Sequence, residues 1–338
     1  MRGTIIYAPN DIRFEDRPDP VILEPTDAIV RTVAACVCGS DLWRYRGIAE
    51  VAKPTPIGHE YVGIVEAVGS DVTTVKPGQF VVGGFLTSDN TCALCKVGAH
   101  ANCLHGTGYD GCQAELIRVQ NADGTLVATP ELPDEAMIPN ILALSDVMCT
   151  GWHAAVSAGV KPGSTVVVVG DGAVGLSGVL AAAELGAERI IAMSRHEDRQ
   201  RLALEFGATE IVAERGDAGV ERVKELTSGI GADSVLECVG THDSVEQALR
   251  SARPGGMVGW VGVPHVTDLP QRHMFWKNVG LRGGPAPVRA YLDHLLDRVW
   301  NGHIQPGKVF DLTIPLDQVA EAYAAMDERR SIKAMLIP

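Results

Sequence analysis

Short apolar runs separated by Pro and Gly dominate the first 146 residues. The runs at 4–7, 28–35, 61–68, 80–84 and 114–119 are rich in β-branched residues, with turn-forming residues between them. Strands at this spacing predict a small, curled all-β unit.

From about residue 147 the pattern changes to strands that alternate with helices. Four consecutive valines at 166–169 are apolar on both faces, as in a strand at the centre of a parallel sheet. Apolar residues at helical intervals follow up to residue 185. The same alternation continues to residue 284, with strands at 189–193, 232–238 and 255–261 and a helix at 242–252. It predicts a doubly wound parallel sheet, followed by a tail with helices at 290–301 and 316–328 and a strand at 332–337.

Three glycines, Gly170, Gly172 and Gly175, stand in G-x-G-x-x-G spacing between the four-valine strand and its helix. Such a turn lets the backbone approach a pyrophosphate, and the helix N-terminus at Ala173 and Val174 offers free N–H groups to the phosphates. An ordinary crossover loop is the alternative. A glycine triplet that ends a buried strand and opens a helix favours a dinucleotide-binding turn.

The residues after the next strand bear on which dinucleotide binds. About 20 residues past the glycines, an NAD enzyme places Asp or Glu on the ribose 2′-hydroxyl. Here the sequence has Ser194 and Arg195, with His196 and Arg199 close behind. A guanidinium group suits a 2′-phosphate, so the pattern favours NADP(H), although a solvated arginine face is the alternative.

Size, charge and cysteine content narrow the class of protein. A chain of 338 residues exceeds one typical core and suggests two domains. A net charge of −13 argues against nucleic acid or an anionic membrane as a partner. We find neither a membrane-spanning stretch nor a signal peptide, and eight cysteines without an export signal indicate thiols or metal sites. We expect a cytoplasmic enzyme with a small-molecule substrate.

Three places before residue 153 carry residues that suit a metal. They are Cys38 in C-G-S-D, His59 in G-H-E, and Asp146. Three such ligands with one open position would make a catalytic zinc site. Each also has an ordinary explanation, as a buried thiol, a turn residue or a helix cap, and spacings of 21 and 87 residues form no local metal motif.

The order of these pieces resembles the zinc-dependent medium-chain alcohol dehydrogenase family over nearly the whole chain. The segments that carry the resemblance are 38–41, 58–60, the cysteine-rich lobe at 89–103, S-D-V-M-C-T-G at 145–151, and the glycine turn. Within the family, the chain looks most like NADP-linked bacterial secondary-alcohol dehydrogenases. The resemblance implies a GroES-like catalytic domain at 1–148, an NADP-binding Rossmann domain at 149–284, and a segment at 285–338 that returns to the catalytic domain. It also implies a homo-oligomer, a tetramer rather than a dimer.

The resemblance further implies a catalytic zinc on Cys38, His59 and Asp146, with Glu60 as an occasional fourth ligand. Asp41 would orient His59 by fixing its tautomer.

Ser40 matches the family's hydroxyl that contacts the alcohol and passes on its proton. Many relatives continue this relay with a histidine three residues later, where this chain has Trp43. The exit of the proton is therefore open. Aromatic residues are predicted to line the substrate pocket: Trp43, Tyr109, Trp152, and either Trp260 or Trp276.

The cysteine-rich lobe departs from the family pattern. Relatives bind a structural zinc with four cysteines, whereas the same offsets here hold Asp89, Cys92, Cys95 and Cys103. A Cys₃Asp site is chemically allowed, so a second zinc remains open. His100 and His105 are possible substitute ligands, and Cys112 and Cys149 are expected to be core thiols.

For the cofactor, the resemblance implies a nicotinamide site at Thr150 and at the turn of Val261, Gly262 and Val263. The adenosine-side ribose would lie near Cys238, Val239 and Gly240. Lys333 matches a basic position that approaches the cofactor in relatives, and a solvated lysine is the alternative.

These features predict hydride transfer between NADP(H) and an alcohol with its ketone or aldehyde, with a secondary alcohol as substrate. One alternative is a polyol or sugar dehydrogenase, although such relatives tend to have Glu near position 146. A zinc-free quinone reductase is disfavoured by the Cys38 and His59 pair. A non-catalytic dinucleotide-binding protein is the alternative from a different class.

Overall fold

The computed structural model describes residues 1–108, 110–265 and 268–338, and it separates the chain into two compact units. The first contains Met1–Cys149 and Pro287–Pro338, and the second contains Thr150–Ala286. The tail therefore belongs to the same unit as the N-terminal half. Among the helices of the described ranges, none combines the length and the apolar character that crossing a bilayer needs.

The strands follow one another along the chain as β1 (Arg2–Ala8), β2 (Asp11–Asp16), β3 (Ala28–Cys36), β4 (Thr55–Pro56), β5 (Tyr61–Val68), β6 (Phe80–Gly83), β7 (Leu116–Val119), β8 (Leu126–Ala128), β9 (Thr165–Val169), β10 (Arg189–Met193), β11 (Glu210–Val212), β12 (Ala232–Glu237), β13 (Ala252–Trp260), β14 (Gly280–Gly283), β15 (Leu312–Pro315) and β16 (Ala334–Ile337).

The α-helices are α1 (Asp41–Tyr45), α2 (Ala93–Lys96), α3 (Ala122–Thr125), α4 (Ile138–Ala143), α5 (Val147–Ser157), α6 (Ala173–Glu184), α7 (Glu197–Glu205), α8 (Gly216–Leu226), α9 (His242–Ser251), α10 (Gln271–Lys277), α11 (Val288–Trp300) and α12 (Val319–Asp327).

The first unit is built on two sheets. A small sheet has the order β2-β1-β4, and a larger one runs β15-β16-β3-β5-β6-β8, with β7 paired to β3. β3 and β5 are antiparallel neighbours with Ala35 opposite Tyr61, so the end of β3 lies beside the start of β5. β16 pairs antiparallel with β3 through Met335 and Leu336, which joins the tail to this sheet.

The second unit is built on a six-stranded parallel sheet in the order β11-β10-β9-β12-β13-β14. The predicted doubly wound sheet is confirmed. Its central strand β9 holds the four valines, each no more than 1% exposed, and full burial of such a side chain stabilises the fold by roughly 1.5–3 kcal/mol. Strand order reverses between β9 and β12, and ligands of such sheets bind beyond the carboxyl ends of the strands at this point.

Candidate active site

Residues from three separate loops of the first unit meet at one end of the β3–β5 pair. Cys38 follows β3 by two residues, His59 and Glu60 directly precede β5, and Asp146 directly precedes α5. The antiparallel register of β3 and β5 brings the first two loops to the same end of the sheet. One ligand atom from each of these four residues lies within 4.8 Å of the others.

The spacing of these atoms fits a tetrahedral metal ion. Asp146 Oδ2 lies 3.4 Å from Cys38 Sγ and 3.4 Å from His59 Nε2. Zinc with sulfur, nitrogen and oxygen ligands at its usual bond lengths would hold neighbouring ligand atoms about 3.3–3.6 Å apart. The structure thus brings the predicted ligands together at distances that suit zinc.

Asp41, at the start of α1, connects two of these ligands. Its Oδ2 accepts the backbone N–H of Cys38 at 3.1 Å, and its Oδ1 lies 3.4 Å from His59 Nδ1. The other ring nitrogen of His59, Nε2, faces Asp146. This is the arrangement that the predicted orienting role of Asp41 requires.

The electrostatics of the cluster also suit a cation. Burial, together with Asp146 and Glu60, raises the pKa of Cys38 to about 11. Burial lowers the pKa of His59, but Asp41 and Cys38 outweigh it, so this pKa lies well above its usual value. Glu60 Oε2 is buried and has no hydrogen-bond partner among the described residues. A bound divalent ion would balance these acidic groups, which are costly to bury without a counter-charge.

Ser40 and Trp43 lie beside this cluster. The Ser40 hydroxyl donates to Cys38 Sγ at 3.2 Å, and the backbone N–H of Trp43 donates to the Ser40 carbonyl at 3.2 Å. Both residues are half-buried. The predicted hydroxyl is therefore adjacent to a predicted metal ligand.

The cysteine-rich lobe forms a second cluster in the same unit, made of Asp89, Cys92, Cys95 and Cys103. Cys92 Sγ lies 3.5 Å from Cys95 Sγ and 3.9 Å from Cys103 Sγ. Two thiolates on a tetrahedral zinc are about 3.8 Å apart. The four residues at the family offsets therefore also fit a zinc ion, with Asp89 as the oxygen ligand.

The rings of His105 and His100 have different partners in this lobe. Asp89 Oδ2 lies 2.5 Å from His105 Nδ1, and Asp89 Oδ1 accepts the backbone N–H of Cys92 at 3.0 Å. Burial raises the pKa of Asp89, but these two contacts hold it well below its usual value. The ring of His100 instead bonds Asn90 at 2.8 Å. The ring of His105 thus bonds to a residue of the cluster, whereas His100 contacts it through its backbone carbonyl, which accepts the N–H of Cys103 at 3.1 Å.

In the second unit, the glycine turn joins β9 to α6 as predicted. Gly170 has φ +119°, a conformation that favours glycine, and a Cβ on Gly175 would lie 2.0 Å from the Gly170 carbonyl oxygen. A Cβ on Gly172 would meet no heavy atom within 4 Å. The turn therefore leaves open space at Gly172, directly before the N–H groups of Ala173 and Val174, where a pyrophosphate would fit.

The segment after β10 contains a contact that the sequence did not reveal. Ser194, buried at the end of β10, donates its hydroxyl to Asp171 Oδ2 at 2.8 Å. Asp171 lies between the first two glycines of the turn, and its carboxylate is also 3.5 Å from the Arg199 guanidinium. Arg195 is exposed, and His196 donates its backbone N–H to the Ser194 hydroxyl at 3.4 Å. The carboxylate of Asp171 thus lies at the end of β10, where the sequence spacing had indicated no acidic residue.

The remaining predicted cofactor segments follow β12 and β13. Glu237, the last residue of β12, accepts the backbone N–H groups of Val239 and Gly240 on one carboxylate oxygen, each at 2.9 Å. Its carbonyl oxygen accepts the N–H of Val261 at 3.0 Å and of Gly262 at 3.2 Å. Glu237 therefore ties the two predicted segments, 238–240 and 261–263, to each other at the carboxyl end of the sheet.

Comparisons with known proteins place the chain in a family. Residues 24–131 match the model of the alcohol dehydrogenase GroES-like domain, and residues 173–299 match that of the zinc-binding dehydrogenases. Zinc-type alcohol dehydrogenase B of Aspergillus flavus is 34% identical over 337 residues, which cover 96% of this chain and 78% of the relative. The chain belongs to the zinc-dependent medium-chain alcohol dehydrogenase family.

Two further dehydrogenases are similar to the chain. The solved structure of the alcohol dehydrogenase from Thermus sp. ATN1 superposes with a TM-score of 0.91 and 32% identity, covering 100% of this chain and 99% of that one. The NADP-dependent isopropanol dehydrogenase of Clostridium beijerinckii is 34% identical over 266 residues, or 76% of this chain and 75% of the relative. The predicted family and the GroES-like and Rossmann-type fold are confirmed.

Lys333 has a contact that differs from the one predicted from relatives. Its ammonium group lies 2.7 Å from Glu60 Oε1 and donates to the Val37 carbonyl at 3.0 Å. The two side chains are 1% and 0% exposed. The structure therefore places Lys333 behind a candidate metal ligand in the first unit and gives no support to the predicted cofactor contact.

The predicted pocket aromatics are divided between the two units. Trp43 is in the first; in the second, Trp152 is buried in α5, Trp260 is half-buried at the end of β13, and Trp276 is 71% exposed on α10. Trp276 thus lines no enclosed pocket within its own unit. Tyr109 lies outside the described residues. Thr150 is buried in α5, and the expected core thiols, Cys112 and Cys149, are each 0% exposed.

Proposed function

We propose that the chain is a zinc-dependent oxidoreductase that transfers a hydride between NADP(H) and an alcohol–carbonyl pair, with a secondary alcohol as the substrate class. The observation that carries this proposal is the largely buried cluster of Cys38, His59, Glu60 and Asp146 in a member of this family. The similarity to an NADP-dependent isopropanol dehydrogenase supports both the coenzyme and the substrate class.

Three side chains of the cluster would hold the metal. Cys38, His59 and Asp146 supply sulfur, nitrogen and oxygen, and Asp41 keeps the His59 ring in the tautomer whose Nε2 is free to bind. A zinc ion bound there supplies Lewis acidity that lowers the pKa of an alcohol hydroxyl, and the nicotinamide supplies the hydride acceptor.

Ser40 would receive the proton of the alcohol. A hydroxyl both donates and accepts, whereas the indole N–H of Trp43 has no acceptor and cannot continue a proton relay. Ser40 is half-buried and the adjacent Gly39 is exposed. We therefore propose that the proton passes from Ser40 Oγ directly to water.

The coenzyme part of the proposal rests on Ser194, Arg195 and Arg199. Their hydroxyl and guanidinium groups suit a 2′-phosphate, and the end of β10 is where that group is recognised in such sheets. The test is kcat/KM with NADPH and NADH for the wild type and for Arg195→Ala. We expect a preference for NADPH that falls in the variant. A wild-type preference for NADH would contradict it.

The metal part is tested by Cys38→Ser. The variant should remain folded, bind less zinc by elemental analysis, and lose alcohol-dependent formation of reduced nicotinamide by about a thousandfold or more. Cys112→Ala, a buried thiol outside both clusters, should keep its zinc. Retained turnover in Cys38→Ser would refute the metal assignment, and a wild type that turns over no alcohol would favour the non-catalytic alternative.

The substrate class and assembly are tested separately. A panel of secondary alcohols and polyols would show a preference for the former, and a preference for polyols would favour the polyol dehydrogenase alternative. We also propose a homotetramer, for which light scattering in solution should give four times the mass of the chain.

A further inference from the structure

A cluster of charged side chains surrounds Asp171 at the carboxyl ends of β9 and β10. Its carboxylate accepts the Ser194 hydroxyl at 2.8 Å and lies 3.5 Å from Arg199 Nη1 and 3.9 Å from Arg215 Nη2. The side chains of Asp171 and Arg199 are 14% and 12% exposed, and that of Arg215 is 33% exposed. Asp171 is therefore largely enclosed by the groups that would face a 2′-phosphate.

The Asp171 carboxylate occupies a position where this fold usually has an acidic residue that binds the ribose. Dinucleotide sites that bind NAD(H) hold an Asp or Glu at the end of the second strand, where it accepts the ribose 2′-hydroxyl. In this chain that strand is β10, and Ser194 directly follows its last residue, Met193. The Asp171 carboxylate reaches the same place from the glycine turn, 23 residues earlier.

We propose that Asp171 sets the coenzyme selectivity of the chain by weakening the binding of a 2′-phosphate to the nearby arginines. The inference rests on the proposed use of a nicotinamide coenzyme. Asp171 restrains Arg199 and Arg215, repels a dianionic phosphate, and offers an acceptor to a ribose hydroxyl. The chain therefore accepts both NADP(H) and NAD(H), and its preference for NADP(H) is held small by Asp171.

The charges around the site explain why the preference is not reversed. Arg199 and Arg215 both face Asp171, and the exposed Arg195 lies close by in sequence. A phosphate can thus still find a guanidinium partner, but it must compete with a carboxylate that is already in place.

The test measures coenzyme binding, not turnover. Dissociation constants for NADPH and NADH are obtained by calorimetry for the wild type and for Asp171→Asn, which keeps the size of the side chain and removes its charge. We expect the wild type to prefer NADPH by no more than about tenfold, and the variant to increase that ratio by about tenfold, the factor expected for one charge-assisted hydrogen bond. Asp217→Asn, an exposed aspartate paired with Arg250 in the same unit, should leave the ratio unchanged.

The outcomes separate this inference from the function proposed above. An unchanged ratio in Asp171→Asn, or a wild-type preference for NADPH above about a hundredfold, would overturn the role of Asp171. The second result needs no variant, so it decides the matter even if Asp171→Asn fails to fold. A wild type that binds neither coenzyme would instead overturn the proposed function.

Discussion

Replacing Lys333 by methionine should destabilise the first unit through Glu60. Methionine fills similar space but removes the ammonium group that lies 2.7 Å from Glu60 Oε1. Since Oε2 already lacks a hydrogen-bond partner among the described residues, the variant would leave the buried Glu60 carboxylate without the ammonium group that balances its charge. Breaking a buried ion pair from one side costs about 3–5 kcal/mol of unfolding free energy, a large part of the stability of a typical domain.

The assay is equilibrium unfolding in guanidinium chloride, on protein prepared both with zinc and with a chelator. Midpoints and slopes are fitted separately for each transition, because the two units can unfold at different concentrations. The loss should be smaller with zinc, because a metal ion beside Glu60 offers its carboxylate another positive charge and stabilises the folded form by binding to it.

A double-mutant cycle tests the stated cause. Lys333→Met combined with Glu60→Gln should recover about 2 kcal/mol of the loss, since the second change removes the uncompensated charge. Lys76→Met, at an exposed position of the same unit, should change stability by less than about 0.5 kcal/mol. A loss below about 1 kcal/mol in Lys333→Met, or the absence of coupling in the cycle, would show that Lys333 does not balance a buried Glu60 charge.

His105→Ala should speed zinc release from the cysteine-rich lobe by about tenfold in a chelator competition, because it removes the partner that holds Asp89, and Asp89→Cys should slow release. Gly175→Ala should destabilise the second unit by at least about 2 kcal/mol in chemical unfolding, whereas Gly172→Ala, where space is open, should leave stability nearly unchanged and weaken coenzyme binding. Burial raises the pKa of Asp27, but its ion pair with Arg118 and two backbone N–H groups lower it below the usual value. The contribution of Asp27 to the unfolding free energy is therefore present above about pH 4 and is lost as the pH falls further. Asp27→Asn should reduce this acid sensitivity of the unfolding free energy.

The fold was predictable where apolar patterns were long. The four valines of β9, the helix after them and the recurring strands of the second unit gave the doubly wound sheet directly. The edge strands β11 and β14 were not predicted. β11 has only three residues, and two of the four residues of β14 are glycine. Neither is long or β-branched enough to produce a pattern.

The metal ligands of the candidate site could be predicted from the sequence, but the residues that contact the predicted site residues could not. Cys38, His59 and Asp146 have the right chemistry, although only the order of motifs along the chain singled them out. The contacts of Lys333 and Asp171 could not be predicted. The first joins residues 273 positions apart, and the second depends on where a turn directs one side chain. Sequence spacing shows which residue follows a strand, but not which distant side chain bonds to it.

The antiparallel pairing of β16 with β3 also orders events during synthesis. Cys38, His59 and Asp146 leave the ribosome long before residues 287–338, which carry Lys333. Until that tail docks, the Glu60 carboxylate has no ammonium group to hold it. A nascent chain that captures zinc early would thus offer the ion Glu60 as a fourth ligand that Lys333 does not yet restrain.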